Sequence, residues 1–332
     1  MPTNFIVLTI TTIYQAIACQ LENRQPPPGK LFDVGGYRLH LSVLGSGSPT
    51  IIIDHSLGGI EGYLLIEELT KLAKVCIYDR AGYGWSDISP YPRTSDRIVT
   101  ELNTLLNQAE IAPPYILLGD SFGSYNMRLY AHRFPEKVVG MVLTDGLHEK
   151  EMLRMPLQLQ LLKFFFISGF AISALGSILG IIRVLKVWGI FELLKPELKK
   201  FSKNALNPVK RSFCRAKHWI TMTREMLALN SSARQVRIAS QFGQMPIVNI
   251  KSSHFFKPAF WTTFIPLRSA DKLRDKMHAE LSTLSTDCIQ LPADSSSHFV
   301  WTDQPDVIVN GVKIILDKVQ LSCAATFRNE TD

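Results

Sequence analysis

The feature that most restricts the fold is a five-residue segment, Gly119-Asp-Ser-Phe-Gly123, together with its flanks. It follows an apolar run, Tyr115-Ile-Leu-Leu118, and opens a helical pattern over Phe122–His132. A G-x-S-x-G segment between a strand and a helix is the sequence form of a sharp elbow, which lifts the serine to the edge of a sheet. Small residues are required on both sides of the serine, because the turn is too tight for a side chain there. The five residues alone occur by chance in long chains; their position between strand and helix gives them weight.

The rest of the chain has the rhythm that such an elbow needs. Leu31–Val34 and Tyr37–Val43 read as strands joined by a Gly35-Gly36 turn. Thr50–Asp54 reads as a buried strand ending in the loop His55-Ser-Leu-Gly-Gly59. Glu61–Leu72 reads helical, Val75–Tyr78 as strand, and Ser95–Ala109 as a helix with Ile98, Leu102, Leu105 and Leu106 on one face. Tyr115–Leu118 and Val138–Thr144 are further strands. This alternation predicts an α/β fold with a mostly parallel sheet flanked by helices. Residues 150–245 then read almost wholly helical. The alternation resumes with Ile247–Ile250, Ser269–Leu281, Cys288–Leu291 and Gln304–Val319. The expected organisation is an N-terminal segment over 1–25, a core over 30–149 and 246–322, and a helical cap over 150–245. The cap is expected over the carboxyl ends of the strands, where open sheets bind ligands.

Composition removes several alternatives. With 332 residues, 46% hydrophobic and 20% charged, the chain is too long for a small disulfide scaffold and too apolar for a disordered one. Its five cysteines are far apart and form no CxxC pair or Cys/His cluster, so no metal site and no cofactor is predicted. The net charge of +7 is uneven: residues 151–251 carry 16 Lys/Arg against four acids, a balance of +12, which leaves −5 elsewhere. No nucleic-acid motif accompanies this basic island, so nucleic acid is not an expected partner. The island is also greasy, which points to an anionic membrane surface; a solvated face is the alternative.

Two segments have membrane character. Pro2–Leu21 has no charge, and twenty helical residues span roughly 30 Å, one bilayer core. It reads as an uncleaved membrane anchor. The alternatives are a cleaved signal, suggested by Ala16-Ile-Ala18 and giving a secreted or periplasmic protein, or a buried helix. Phe164–Ile182 is nineteen residues without a charge, flanked by Arg183, Lys186 and Lys195. It reads as a cap lining an apolar pocket, a cap that also dips into the membrane interface, or a second spanning helix. Each favours a lipophilic substrate.

A serine hydroxyl needs a base, and the base needs an orienting group. His298 follows the last core strand in the loop Ser295-Ser-Ser-His298, from which an imidazole can reach over the elbow. The expected order is serine, acid, histidine. The usual place for the acid, after Ile247–Ile250, reads Lys251-Ser-Ser-His-Phe-Phe and has no carboxylate. Asp145, just past Val138–Thr144, is the first alternative and Asp271 the next. Backbone N–H groups of Phe122 and Leu57 are the expected oxyanion donors.

Three stretches, Tyr78-Asp-Arg-Ala-Gly-Tyr-Gly-Trp-Ser86, Pro113-Pro-Tyr-Ile-Leu-Leu-Gly-Asp-Ser-Phe-Gly123 and Val142-Leu-Thr-Asp-Gly-Leu-His-Glu149, resemble the α/β-hydrolase fold superfamily. The likeness is greatest to bacterial members with an N-terminal membrane segment before a Pro-Pro-Gly stretch, here Pro27-Pro28-Gly29. It covers about residues 28–149 and 283–319, the cap matching only in kind. The resemblance implies a cofactor-free hydrolase with Ser121 as nucleophile and His298 as base. Asp79–Gly84 reads as a structural turn beside the site. Three positions depart from the superfamily's pattern. Ser56 stands where glycine commonly follows His55 and is expected to strain or reshape its loop. Asp120 precedes the serine where histidine is common, and facing inward it would repel a developing oxyanion. Ser124 replaces a second glycine after the elbow.

The chain therefore reads as a membrane-associated serine hydrolase that cleaves a carboxylic ester with a lipophilic acyl or alcohol part, through an acyl-enzyme. Ser121, His298 and Asp145 are its expected triad. A non-catalytic binding protein on the same fold is one alternative. An acyltransferase or perhydrolase using the same serine is another. Epoxide hydrolases and dehalogenases need a carboxylate where Ser121 stands.

Overall fold

The computed structural model describes residues 2–257 and 266–329, with side chains from 5 to 321. Among these, the strands are β1 (Lys30–Asp33), β2 (Arg38–Leu44), β3 (Thr50–Asp54), β4 (Val75–Asp79), β5 (Tyr115–Asp120), β6 (Val138–Thr144), β7 (Ile247–Ser252) and β8 (Cys288–Ala293). They form one sheet in the order β1-β2-β4-β3-β5-β6-β7-β8. β1 and β2 pair antiparallel with each other, and β2 pairs antiparallel with β4. From β4 to β8 every pairing is parallel.

The central strands are buried at every residue of β3, β4 and β5. A strand covered on both faces must be apolar throughout, which explains the unbroken runs Thr-Ile-Ile-Ile and Tyr-Ile-Leu-Leu. One face packs Ile52, Cys76, Leu117 and Leu143 with Leu102 and Leu106 of a helix. The other packs Ile51, Ile77, Leu118 and Val248 with Ile308 and Val312. The β1–β2 turn uses Gly35 and Gly36 at φ of +113° and +91°, and both N–H groups donate to Asp33 Oδ1. Only glycine enters that region at little cost.

The helices are α1 (Pro2–Arg24), α2 (Ile66–Leu69), α3 (Ser95–Gln108), α4 (Phe122–Arg133), α5 (Glu149–Leu153), α6 (Leu157–Ile178), α7 (Ile181–Val187), α8 (Ile190–Leu194), α9 (Lys203–Phe213), α10 (Ala216–Val236), α11 (Leu267–Leu281), α12 (Val300–Asp303) and α13 (Pro305–Asn329). Six of them, α5 to α10, lie in the chain between β6 and β7. The helix expected over Glu61–Leu72 is broken: Glu61–Leu64 is a 3₁₀ turn and α2 follows it. The cause is local. Glu61 turns back to accept hydrogen bonds from the N–H groups of Ser56 and Ile60, which fixes the segment to the preceding loop.

β4 lies on one side of β3 and β5 on the other. Chain direction across the sheet reverses there, which opens a crevice at the carboxyl ends of β3 and β5. The His55–Gly59 loop and Ser121 emerge at that crevice.

α1 is docked on helices from beyond β6. Arg183 of α7 donates to Gln15 and Glu22, and Arg215 donates to Glu22 at 2.6 Å. Gln15 Nε2 in turn donates to the carbonyl of Cys214 at 2.7 Å. The opposite face of α1 is open: Phe5, Ile6, Ile10, Ile13, Ile17 and Leu21 are exposed. α6 likewise exposes Leu161, Phe164, Phe165, Ile172 and Leu175. Both helices are long and apolar enough to cross a membrane.

Candidate active site

Ser121 sits between β5 and α4 with φ of +48° and ψ of −110°, a backbone conformation that L-residues rarely adopt. Its neighbours show why the elbow needs glycine. A Cβ on Gly123 would lie 2.6 Å from the carbonyl oxygen of Asp54, and one on Gly119 would lie 2.8 Å from that of Gly123. The turn is pinned to the next strand by Ser121 N–H donating to Thr144 O at 2.9 Å.

Asp145 leaves β6 at φ of +43°, held by its N–H donating to Ile250 O at 2.8 Å. Its carboxylate is fully buried and meets His298, which donates from Nδ1 to Oδ2. His298 lies in the loop after β8, its backbone N–H on Phe255 O and its ring beside Phe255 and Phe299. The carboxylate has further donors. Arg274 binds both oxygens, Ser252 N and Oγ donate to Oδ1 at 3.2 Å each, and His278 Nε2 lies 3.0 Å from Oδ1. Burial opposes ionisation of Asp145, but the bonds from His278 and His298 and the charge of Arg274 hold its carboxyl well below the usual range.

Asp271 stands elsewhere. It accepts the N–H of Phe255 at 2.8 Å and pairs weakly with Arg274. Ser252, Arg274 and His278 escaped the sequence reading. One signal for the last two was present: they are four apart on α11 and so share a face.

Ser121, Asp145 and His298 line one cavity of about 150 Å³, with Leu57 on its wall. Its remaining lining is mostly apolar and includes Met152, Leu159, Phe166, Met226 and Leu229 from the cap helices. Across the Leu57 loop lies a second apolar cavity of about 520 Å³, with Phe213, Trp219 and Met222 among its walls.

The loop after β3 is held from two sides. Glu61 accepts the N–H of Ser56, and Arg80 donates to the carbonyls of His55 and Ser56 at 2.7 Å. Arg80 is wholly buried and pairs with Asp54 of the core and Glu225 of α10. Tyr83 also donates to Glu225, at 2.8 Å. The turn Asp79–Gly84 thus ties the crevice loop to the cap.

The three departures from the superfamily pattern have physical accounts. The left-handed positions of the crevice loop are Gly58 and Gly59, at +103° and +54°; Ser56 is not among the positive-φ residues, so the expected strain there is absent. Asp120 is wholly buried and pairs with no cation among the described residues. Burial and the nearby Glu61 raise its carboxyl well above the usual range, which favours the neutral form and weakens any repulsion of an oxyanion. Ser124 bridges two loops: its Oγ donates to Ser121 O at 2.6 Å and accepts the N–H of Leu147 at 3.0 Å. His55 is a buried prop, with Nε2 on Tyr78 O and Nδ1 accepting from Gly62 N.

A mostly parallel eight-stranded sheet, a serine on a strained strand-to-helix elbow and an insertion after β6 define the alpha/beta hydrolase fold. A family model described by that name matches residues 49–175, and the chain has the alpha/beta hydrolase fold. Solved structures agree on the fold. The epoxide hydrolase CorEH matches with a TM-score of 0.62 at 14% identity, over 87% of this chain and 98% of its own. The enol-lactonase from Burkholderia xenovorans LB400 matches at 0.60 and 15%, over 87% and 100%. A putative lipase from Acinetobacter baumannii AYE matches at 0.59 and 17%, over 88% and 92%.

Curated relatives match a shorter stretch. The uncharacterized YqjL of Bacillus subtilis (strain 168) is 33% identical over 119 residues, 35% of this chain and 47% of that protein. A probable transporter, efuK of Hormonema carpetanum, is 32% identical over 138 residues, 39% of this chain and 20% of its own. An uncharacterized vacuolar membrane protein of Saccharomyces cerevisiae (strain YJM789) is 34% identical over 114 residues, 32% of this chain and 17% of its own. The chain thus spans less than half the length of these relatives.

Proposed function

We propose that this protein is a serine hydrolase that cleaves a carboxylic ester with a lipophilic acyl or alcohol part. The observation that carries the reading is the hydrogen bond from His298 Nδ1 to buried Asp145, in a cavity that Ser121 also lines. That bond fixes the tautomer, leaving Nε2 as the basic nitrogen.

In this mechanism Ser121 Oγ attacks the ester carbonyl carbon while its proton passes to His298 Nε2. The carbonyl oxygen becomes an oxyanion, held by the N–H groups of Leu57 and Phe122. Phe122 is the first residue of α4, so its N–H has no acceptor within the helix. One such donor is worth about 3 kcal/mol in the transition state. The tetrahedral carbon then expels the alkoxide, which takes the proton from His298 and leaves as the alcohol. Water attacks the acyl-serine, gives a proton to His298, and releases the carboxylic acid as the serine recovers its proton. The apolar cavity walls favour a substrate with an aliphatic or aromatic part.

The reading includes a membrane surface. α1 and α6 present exposed apolar faces, and basic residues flank α6 and α7. Retention of α1 is favoured over cleavage after Ala18 by buried Gln15, which accepts from Arg183 and donates to the Cys214 carbonyl and whose loss would leave both unsatisfied. The vacuolar membrane relative is consistent with this placement.

Fluorophosphonate labelling of the purified full-length protein tests the chemistry. Ser121 Oγ should displace fluoride and form a stable phosphonyl ester, and Ser121→Ala should abolish labelling. A folded wild type that takes no label overturns the reading.

A further inference from the structure

A third cavity, of about 450 Å³, lies where the chain leaving α1 meets the edge of β2 and the start of α10. Its lining holds four cationic side chains, Arg38, Arg211, Arg215 and Lys217, against one carboxylate, Asp87. The acids within reach are engaged. Asp87 accepts from Arg38 Nε and from Arg38 N–H at 3.0 Å each. Glu22 is held by Arg215 and Arg183. Arg211 and Lys217 pair with no carboxylate among the described residues. Arg211 donates to Gly84 O at 3.1 Å and lies over the Trp85 ring, 4.6 Å from its centroid. Lys217 Nζ donates to Ser86 O at 2.7 Å.

Two cations that line one cleft and hydrogen-bond only to carbonyls are an unbalanced arrangement. Burial draws the Lys217 ammonium down to about 8, against the pull of Asp79, and the charges of Arg211 and Arg215 add to the effect. A phosphate group would answer both side chains, since it offers several strong acceptor oxygens and a negative charge. The position in the fold says where that phosphate comes from. Asn23, Gln25 and Pro27 line the cleft directly after the exposed apolar face of α1. With that face in lipid, the cleft lies at the headgroup layer, where anionic lipids concentrate phosphate.

We propose that this cleft binds the phosphate of an anionic lipid headgroup, with Arg211 and Lys217 as its principal ligands. The proposal rests on the membrane placement of α1 and is independent of the serine chemistry.

Vesicle flotation of the full-length protein tests it, with phosphatidylcholine alone and with phosphatidylcholine containing a minor share of phosphatidylglycerol. The test variant is Arg211→Gln/Lys217→Gln, whose amides keep a donor for the Gly84 and Ser86 carbonyls. Lys217→Gln alone serves if the double variant fails to fold. Lys276→Met/Lys313→Met, exposed lysines on other helices, controls for loss of net charge. The phosphatidylglycerol should raise wild-type partitioning about tenfold, and the cleft variant should lose most of that gain while floating on neutral vesicles as before. The control pair should keep it. A cleft variant that retains the full gain overturns the proposal. So does wild-type protein that floats on neutral vesicles with no anionic gain. Protein that floats on neither type sinks the membrane placement and this site together. Melting curves with inorganic phosphate form the last arm: a wild-type rise without a vesicle gain assigns the cleft to free phosphate and overturns the lipid.

Discussion

Arg274 grips both carboxylate oxygens of Asp145, donating from Nε to Oδ2 at 3.1 Å and from Nη2 to Oδ1. A guanidinium on the orienting acid sets that acid apart from one that faces only an imidazole, because part of its charge is already balanced. Arg274→Met removes the balance. The variant should lose about 3 kcal/mol of stability in urea melts, since a buried charge loses its main partner. Asp145 would then favour the imidazolium of His298 more strongly. The acidic limb of the fluorophosphonate labelling rate should therefore move to higher pH. An unchanged limb would mean that Arg274 only supports the fold.

The two histidines on Asp145 should separate cleanly. His298 bonds Oδ2 and faces the cavity, whereas His278 Nε2 lies on Oδ1 and its Nδ1 is 2.8 Å from Asn249 Oδ1. His298→Ala should slow labelling about 10³-fold or more, and Asp145→Asn by a similar factor, because the amide favours the wrong tautomer. His278→Gln keeps a polar group near Asp145 and should cost less than about tenfold, expressed mainly as lost stability. Labelling rates and melting temperatures of the three variants check this.

The core, the elbow and the location of the helical insertion were legible in the sequence because each has a local signature: alternating strand and helix, glycine beside the serine, and an interruption of that alternation. Asp145 could be nominated because the loop after Ile250 holds no carboxylate. The support around it was not legible. Ser252 ends β7 and donates to Asp145 from that neighbouring strand, while Arg274 and His278 arrive from a helix well over 100 residues downstream. Such contacts are set by how the strands pack, and no local pattern announces them. Glu225 is a similar case, since a lone acid on a basic helix reads as solvated until Arg80 is seen beneath it.

Glu225 joins the cap to the crevice loop through one guanidinium. Glu225→Gln leaves Arg80 with Asp54 as its charged partner and should cost about 3 kcal/mol. Arg80 also holds the His55 and Ser56 carbonyls, so the loop bearing Leu57 should loosen and labelling should slow. Glu225→Asp keeps the charge and should restore part of both losses. A melt and a labelling rate for each variant measure the coupling.

Asp120 gives a pH dependence whose sign follows from its burial. Its folded carboxyl is raised well above the usual range, first by burial and then by Glu61. The stability linked to it is full below the unfolded value of about 3.9 and is lost as pH rises from there through the folded value, because the folded state keeps a proton that the unfolded state releases. Asp120→Asn removes that loss. The variant should match wild type near pH 3 and gain on it by about 1.4 kcal/mol per pH unit across the window. A difference in melting temperature that does not change with pH would show that Asp120 ionises normally.

Gly180 sits at the junction of α6 and α7 with φ of +78°, and a Cβ there would lie 2.2 Å from the carbonyl oxygen of Thr11. The close approach is what lets α1 lie against the cap with Gln15 and Glu22 in reach of Arg183. Gly180→Val should therefore push α1 away and break those bonds, in addition to about 1–2 kcal/mol of left-handed backbone strain. Gly189→Val separates the two effects, since Gly189 has φ of +71° and no atom within 4 Å of its Cβ position. Amide exchange in detergent is the measurement. The α1 backbone around Thr11–Glu22 should exchange faster in Gly180→Val and at the wild-type rate in Gly189→Val. Equal exchange in both variants would mean that α1 is not held by this contact.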